Sequence, residues 1–308
     1  RQWQVVKEEY FTATGRCAVK TQTGLVLALK YHLSDNERLT EQMLRKLLRD
    51  NKNKLNTGFV GTPLLCNVLT EHGMTDLAYR LLLNEEYPGW LHEVKLGATT
   101  VWERWNSLDE NGRISSTGMN SLNHYSYGAV LEWIFRHVAG IDVTEQGPGG
   151  KMMRISPKVD YKLGSASAVY DSASGCYRCG WQIENGDQIT VTVTVPFGAK
   201  AQVILPYAPD SVYHDTDNPL FETVENGICC VKAGQYTVTY KAASPLKKSY
   251  SVDSTLEDLL AEPAIRAFLS NMMEVDMIPD LAYGLTLRQA AEAFAGGVSA
   301  EQAQRLNA

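Results

Sequence analysis

The strongest constraint in this sequence is a change of period at Gly147-Pro-Gly-Gly150. Ahead of it, apolar residues recur three and four apart, the spacing of a helix that buries one face. Beyond it they alternate or fall in short β-rich runs bounded by glycine and proline. One secondary-structure layer cannot serve both patterns. The chain therefore reads as multidomain, all-α followed by all-β, and its 308 residues are long enough for two or three domains.

Residues 1–146 read as helices joined by short loops. Thr21 to Leu33 places Leu25, Leu29 and Leu33 on one stripe, and Ser34-Asp-Asn-Glu37 has the form of a capping box ahead of Leu39, Met43, Leu44, Leu47 and Leu48. Gly58, Gly61 and Pro63 then interrupt the pattern before a helix through Leu64, Leu65, Val68 and Leu69 that stops at Gly73. Thr75 opens another through Leu77, Ala78, Leu81 and Leu82, and a last helix is expected from Leu122 to Val138. Such a series predicts helical hairpins.

Residues 147–247 predict an antiparallel β-sandwich. Ala166–Tyr170, Gly180–Glu184, Gln188–Val195, Lys200–Leu205, Gly227–Ala233 and Gly234–Ala242 are the strand candidates, with Gly186, Pro196-Phe-Gly198 and Asn226-Gly227 among the turns. Residues 248–308 return to helix, with capping boxes at Ser254-x-x-Glu257, Thr286-x-x-Gln289 and Ser299-x-x-Gln302 and a first-turn proline at Pro263. This tail reads as a docking bundle or appended interaction module, with no chemistry of its own.

Charge narrows the function. Acidic and basic residues are interspersed and the net charge is −6, so no basic field exists to attract nucleic acid. No apolar run approaches the roughly 18 to 20 residues that span a bilayer, which argues against a membrane segment. Six cysteines are present. Cys176-x-x-Cys179 with Cys229-Cys230 could supply four zinc thiolates, but adjacent cysteines seldom reach one metal, and reduced cysteines in and between strands are the simpler reading. Their pattern is not a secreted disulfide framework and leans toward the cytoplasm. Secretion stays open, because the chain starts at Arg1 in sequence that reads as mid-helix and is expected to begin inside a larger protein.

Chemistry concentrates between Tyr87 and Tyr127, where Glu103 lies between Trp102 and Trp105 and His124 lies between Asn123 and Tyr125. Indole rings offer flat apolar faces, while a carboxylate and an imidazole exchange protons. Together they suit a sugar, apolar on its ring faces and polar on its rim. Bland readings stand beside this one: a solvated Glu103 paired with Arg104, a satisfied His124 at a helix terminus, and Trp90, Trp102 and Trp105 as core aromatics.

The same residues carry a resemblance. T-G-F-V-G-T-P-L-L at 57–65, D-L-A-Y-R-L-L-L-N-E-E-Y-P-G-W at 76–90, G-A-T-T-V-W-E-R-W at 97–105 and S-L-N-H-Y-S-Y-G-A-V at 121–130 resemble the bacterial α-L-rhamnosidase family of glycoside hydrolases. I-S-P-K at 155–158 and the run at 189–206 are similar to that family's carboxyl-terminal β-sandwich, so the resemblance covers about residues 15–245. It implies a partial (α/α)6 barrel in which Glu103, of the W-E-x-W motif, is the general base of an inverting hydrolase. His124 would line the sugar subsite, and Trp90, Trp102 and Trp105 would stack on or enclose the rhamnose, with no metal or other cofactor in the chemistry.

Inverting glycosidases use two carboxyl groups. In the family the general acid belongs to an acidic, arginine-rich motif upstream, so this chain is expected to hold the second half of the barrel and to be inactive alone. The apolar face of half a barrel would favour self-association. Substrates implied are terminal α-L-rhamnosyl groups of plant glycosides or polysaccharides. Gly89 in place of a small serine, and His92-Glu93 in place of a more aromatic pair, depart from the family pattern and bear on substrate breadth. Two rivals remain: a non-catalytic carbohydrate-binding or scaffold module, and a self-sufficient hydrolase using Glu93 or Asp109 as acid. The second is disfavoured because neither residue has a neighbour pattern that implies a raised pKa.

Overall fold

The computed structural model describes residues 2–109, 111–116, 118–145, 147–279 and 282–294. The chain divides into two compact units between Lys247 and Lys248. The first is helical at its amino-terminal end and mostly antiparallel β at the other.

Among the described residues seven α-helices precede the sheets: α1 Gln2–Tyr10, α2 Gln22–Lys30, α3 Glu37–Asp50, α4 Thr62–Glu71, α5 Thr75–Leu82, α6 Trp90–Lys95 and α7 Val130–Trp133. Thr21 caps α2 by accepting from the Gly24 N–H, and the helix buries Leu25, Val26 and Leu29 against α3 and α4. The cap of α3 falls two residues later than the Ser34 box implies. Asn36 accepts from the Leu39 N–H, while Ser34 is buried, donating to the Gly15 carbonyl and accepting from the Asn36 N–H. Ser34 thus closes the loop before the helix, and the residue in non-helical conformation next to Glu37 takes the capping role.

Buried Gln22 reaches out of α2 to the following loop, donating to the Lys54 carbonyl and accepting from the Asn56 N–H. This fixes the approach to Thr57, whose hydroxyl pairs with that of Thr62 at the start of α4. α4 packs on α5 and α7. Trp133 of α7 is fully buried, its indole N–H donating to Thr70 of α4 at 2.8 Å and its ring meeting Tyr79 of α5 edge-on. The expected Leu122–Val138 helix is shorter. It opens with a 3₁₀ turn at Tyr127–Ala129, continues as α7, and ends in a π-helical turn over Ile134–Val138. Residues 122–126 are irregular because their backbone is bonded sideways to the 100–103 segment instead of along a helix.

Among the described residues nine strands follow: β1 Ile141–Val143, β2 Met152–Ile155, β3 Ser165–Ser172, β4 Gly175–Glu184, β5 Gln188–Val195, β6 Lys200–Val203, β7 Val224–Glu225, β8 Ile228–Val231 and β9 Gly234–Lys241. They form one sheet ordered β1-β2-β6-β8-β7 and a second ordered β3-β4-β5-β9. Pairing is antiparallel as expected except between β2 and β6, which run parallel. A parallel neighbour requires a long crossover, here the whole of β3 to β5, and leaves no local turn signal. Asn226-Gly227 does leave one: both residues have positive φ in the two-residue hairpin between β7 and β8. Alternation in β5 turns Ile189, Val191, Val193 and Val195 inward. Tyr177 donates to the Gly150 and Lys200 carbonyls, and Trp181 donates to the Val138 carbonyl at the end of the π turn, so the helical layer and the sheets share one core.

All six cysteines are free. Cys176 and Cys179 lie on β4 and Cys229 and Cys230 on β8, in different sheets. Each pair is an odd number of residues apart and so points to opposite faces of its strand. Among the described residues no three His, Cys, Asp or Glu side chains converge as a metal site.

The second unit is a small helical assembly of α8 Leu256–Leu260, α9 Pro263–Ser270 and α10 Leu287–Phe294 around Val252, Leu256, Leu259, Leu269, Val275 and Leu287. α9 begins at Pro263 as the sequence implies. Thr286 and Gln289 form the expected reciprocal box, each side chain accepting from the other's backbone N–H. The box at α8 is shifted by one residue: Thr255 is the cap, accepting from the Asp258 N–H. The Ser299 box lies outside the described residues. Among those residues no helix is long and apolar enough to cross a membrane.

Candidate functional site

Two irregular segments, 100–107 and 120–124, lie side by side and are laced together without forming a sheet. Thr100 donates its hydroxyl to the Leu122 carbonyl, and the His124 N–H donates to the Val101 carbonyl at 2.8 Å. The Glu103 N–H donates to the Ser121 carbonyl at 2.9 Å, and the Ser121 N–H donates to Glu103 Oε2 at 2.7 Å. At the far end, fully buried Ser107 donates to Asn120, which donates back to the Ser107 carbonyl. Every rung uses a loop amide or carbonyl, so the segment satisfies its backbone without regular structure. Glu103 is the middle rung.

Glu103 is half-buried. Its carboxylate takes a backbone N–H on Oε2, while among the described residues Oε1 accepts from no protein donor and keeps lone pairs for a water.

The same segment and its neighbours carry a cluster of aromatic rings. Trp90, Trp102 and Trp105 are all buried. Trp90 donates to the Tyr127 carbonyl, and Trp105 donates to the Thr57 carbonyl held by the Gln22 loop. Trp105 stacks on Tyr127 at 4.0 Å and meets Trp90 edge-on at 5.4 Å. One face of Trp105 is therefore engaged with Tyr127, and Trp90 packs against Trp105. The rings turned outward are Phe59, 46% exposed, and Tyr125, 84% exposed, which lie in one aromatic series with His124 between them. His124 stacks on Phe59 at 5.0 Å and on Tyr125 at 5.1 Å. Its Nδ1 accepts from the Ser126 N–H at 3.3 Å, so the neutral ring carries its proton on Nε2, which can donate.

Sequence reasoning did not single out Phe59, Tyr125 or Ser121. Phe59 and Tyr125 are embedded in the T-G-F-V-G-T-P and N-H-Y-S-Y runs, and an aromatic next to a loop glycine (Gly58) or to the motif histidine (His124) is the available signal. Ser121 acts through its backbone and leaves none.

The two acids weighed as proton donors differ sharply. Asp109 is exposed and serves a turn, accepting from the Asn111 and Arg113 N–H groups. Glu93, on α6, is 3% exposed. Burial pushes its carboxyl up to about 7 against a smaller opposing effect of the Trp102 N–H, which donates to Oε2 at 3.4 Å. The absence of a suggestive neighbour pattern in sequence was thus misleading for Glu93, since the desolvation comes from the fold and not from adjacent residues.

Comparison with known proteins places this geometry in context. Residues 3–138 match the bacterial alpha-L-rhamnosidase 6 hairpin glycosidase domain, and residues 140–218 match the bacterial alpha-L-rhamnosidase C-terminal domain. The chain is similar to an alpha-L-rhamnosidase of Alteromonas sp. (strain LOR), 39% identical over 221 residues, which are 70% of this chain and 23% of the relative. It is likewise 39% identical over 208 residues to an alpha-L-rhamnosidase of Formosa agariphila, covering 67% of this chain and 22% of the relative. Among solved structures, the Streptomyces avermitilis alpha-L-rhamnosidase complexed with L-rhamnose superposes with a TM-score of 0.70 at 32% identity, covering 78% of this chain and 23% of that one. The chain spans less than a quarter of the length of these relatives.

Proposed function

Because the chain belongs to the bacterial α-L-rhamnosidase family of glycoside hydrolases, we propose that it forms part of the catalytic machinery of an inverting α-L-rhamnosidase, with Glu103 as the general base. The observation that carries this reading is the rung at Ser121, which fixes one carboxylate oxygen of Glu103 and leaves the other for a water. In an inverting hydrolase that water attacks the anomeric carbon as the base takes its proton, while a carboxylic acid about 6.5–9.5 Å from the base protonates the departing glycosidic oxygen. The acid is assigned to the part of the family fold that this chain does not span.

Rhamnose would occupy the space beside Glu103 and His124. His124 Nε2–H serves as a donor to a sugar hydroxyl. Trp90, Trp102 and Trp105 shape the subsite from behind by holding the loop, and Phe59 and Tyr125 supply outward ring faces for the sugar or the group attached to it. The substrate class is terminal α-L-rhamnosyl groups of glycosides or polysaccharides, consistent with the rhamnose held by the Streptomyces relative.

Replacing Glu103 by Gln in the intact enzyme that carries this sequence tests the assignment. Loss of a general base lowers turnover of an aryl rhamnoside by about 10²–10⁴-fold with little change in KM. Turnover near the unmutated rate would sink it.

A further inference from the structure

Among the described residues, Glu93 is the one buried carboxyl beside the site that the proposed mechanism does not use. Its main chain and side chain hold both ends of the same loop. The Ala98 N–H donates to the Glu93 carbonyl at 3.0 Å, and the Trp102 N–H donates to its side-chain Oε2 at 3.4 Å. The five residues from Ala98 to Trp102 are therefore clipped to a single residue of α6, and Glu103 is the next residue along. On the other flank the Ser121 backbone holds Glu103 directly.

An aliphatic side chain at position 93 would fill the space, yet could not accept from the Trp102 amide and would leave that N–H without its partner. Keeping a carboxyl there has a cost. Glu93 Oε1 is buried without a hydrogen-bond partner among the described residues. A buried unsatisfied polar atom calls for a compensating role, and the clip supplies one. Burial raises the Glu93 carboxyl to about 7, so below that pH the group is mostly neutral, the form that tolerates an unpaired oxygen best.

We propose that Glu93 is a positioning residue for Glu103: by accepting the Trp102 N–H it fixes the peptide that leads into the base and so sets where the Glu103 carboxylate meets its water. The inference rests on the assignment of Glu103 as base. Glu93 is too buried to touch substrate, and its effect runs through the backbone alone.

The test uses the intact enzyme with three substitutions. Glu93→Leu removes the acceptor, Glu93→Asp shortens it by one methylene, and Glu93→Gln keeps an amide oxygen at the same reach. Misplacing a catalytic group by a fraction of an ångström to one ångström costs about 10–100-fold in rate. We expect Glu93→Leu and Glu93→Asp to lose kcat in that range with KM within about twofold, Glu93→Gln to retain kcat, and hydrogen exchange at the Trp102 amide to quicken in the first two alone. Should the Leu variant fail to fold, the Asp variant decides. Unmutated kcat in the Asp or folded Leu variant overturns the proposal, as does an equal loss in all three, which would mean that the acidic proton and not the acceptor matters. Glu103→Gln is measured alongside. Full activity there overturns the base assignment and this inference with it, whereas loss there with an active Glu93→Asp overturns this inference alone.

Discussion

Glu103 and Ser121 are joined twice, the Glu103 N–H donating to the Ser121 carbonyl at 2.9 Å and the Ser121 N–H donating to the Glu103 carboxylate at 2.7 Å. The donor of the second bond is a backbone amide, which truncating the Ser121 side chain leaves in place. A hydrogen bond to a charged group contributes about 1.5–3 kcal/mol, and this one also sets the direction in which the free carboxylate oxygen faces.

Proline at position 121 removes the N–H donor while alanine leaves it in place. Ser121→Pro is expected to lower kcat of the intact enzyme by about 10–100-fold, the equivalent of that bond. Ser121→Ala loses only the hydroxyl that donates to the Asn123 carbonyl and accepts from the Asn123 N–H, and it should keep turnover within a few-fold. Steady-state kinetics on an aryl rhamnoside separates the two. Equal effects would show that the hydroxyl, not the amide, does the holding.

The site was legible in part, and the divide follows how local each signal is. Leu25 and Leu29 of α2, the Thr286–Gln289 box and the Asn226-Gly227 turn depend on residues a few positions apart, and each forms where its spacing places it. The cap of α3 needed the fact that Ser34 is drawn away to Gly15, 19 residues back. The loss of helix over 122–126 depends on rungs to Thr100, Val101 and Glu103, and the parallel β2–β6 pair on a crossover. Glu103 and His124 were visible because the motifs around them are contiguous. Glu93 was discounted because its burial comes from packing that its neighbours in sequence do not encode.

Glu93 also makes stability depend on pH. Its carboxyl is raised from 4.5 to about 7 by burial, so the folded state holds a proton that the unfolded chain has already released. Relative stability is full below the unfolded value, falls as pH rises from about 4.5, and levels off above about 7. The whole loss is on the order of 3 kcal/mol. Glu93→Gln, which has no proton to lose, should match the parent near pH 4 and exceed it by an amount of that order at pH 8 in urea unfolding. A difference that stayed constant with pH would contradict the assigned direction.

His137 works in the opposite sense. Burial, aided by the neighbouring Arg136 charge, lowers its imidazole from 6.5 to about 4, and its Nε2 is buried with no partner among the described residues. The stability it contributes is complete above 6.5 and is lost as pH falls through about 4, because the unfolded chain takes up the proton first. Its window overlaps that of Glu93, so the parent's pH profile from 4 to 7 is a difference of two slopes. His137→Phe removes one of them, and the variant should lose less stability than the parent between pH 6.5 and 4. A parallel loss in both proteins would show that His137 is not buried as a neutral ring.

The proposed division of labour makes a stringent prediction for the 308-residue chain tested alone. With a base and no paired acid, departure of an ordinary sugar or alcohol is unassisted, a deficit of about 10²–10⁴-fold for each missing proton transfer. A nitrophenyl leaving group needs little protonation, so any residual turnover should appear on nitrophenyl rhamnoside and be absent on an alkyl rhamnoside. On the same proposal a rhamnose subsite would be formed only on one side, and calorimetry should detect no binding at millimolar sugar. Efficient hydrolysis of the alkyl substrate would restore the self-sufficient reading and turn attention to Glu93 as its acid. Rhamnose binding without turnover, in a chain whose Glu103→Gln change has no effect in the intact enzyme, would instead favour a carbohydrate-binding module.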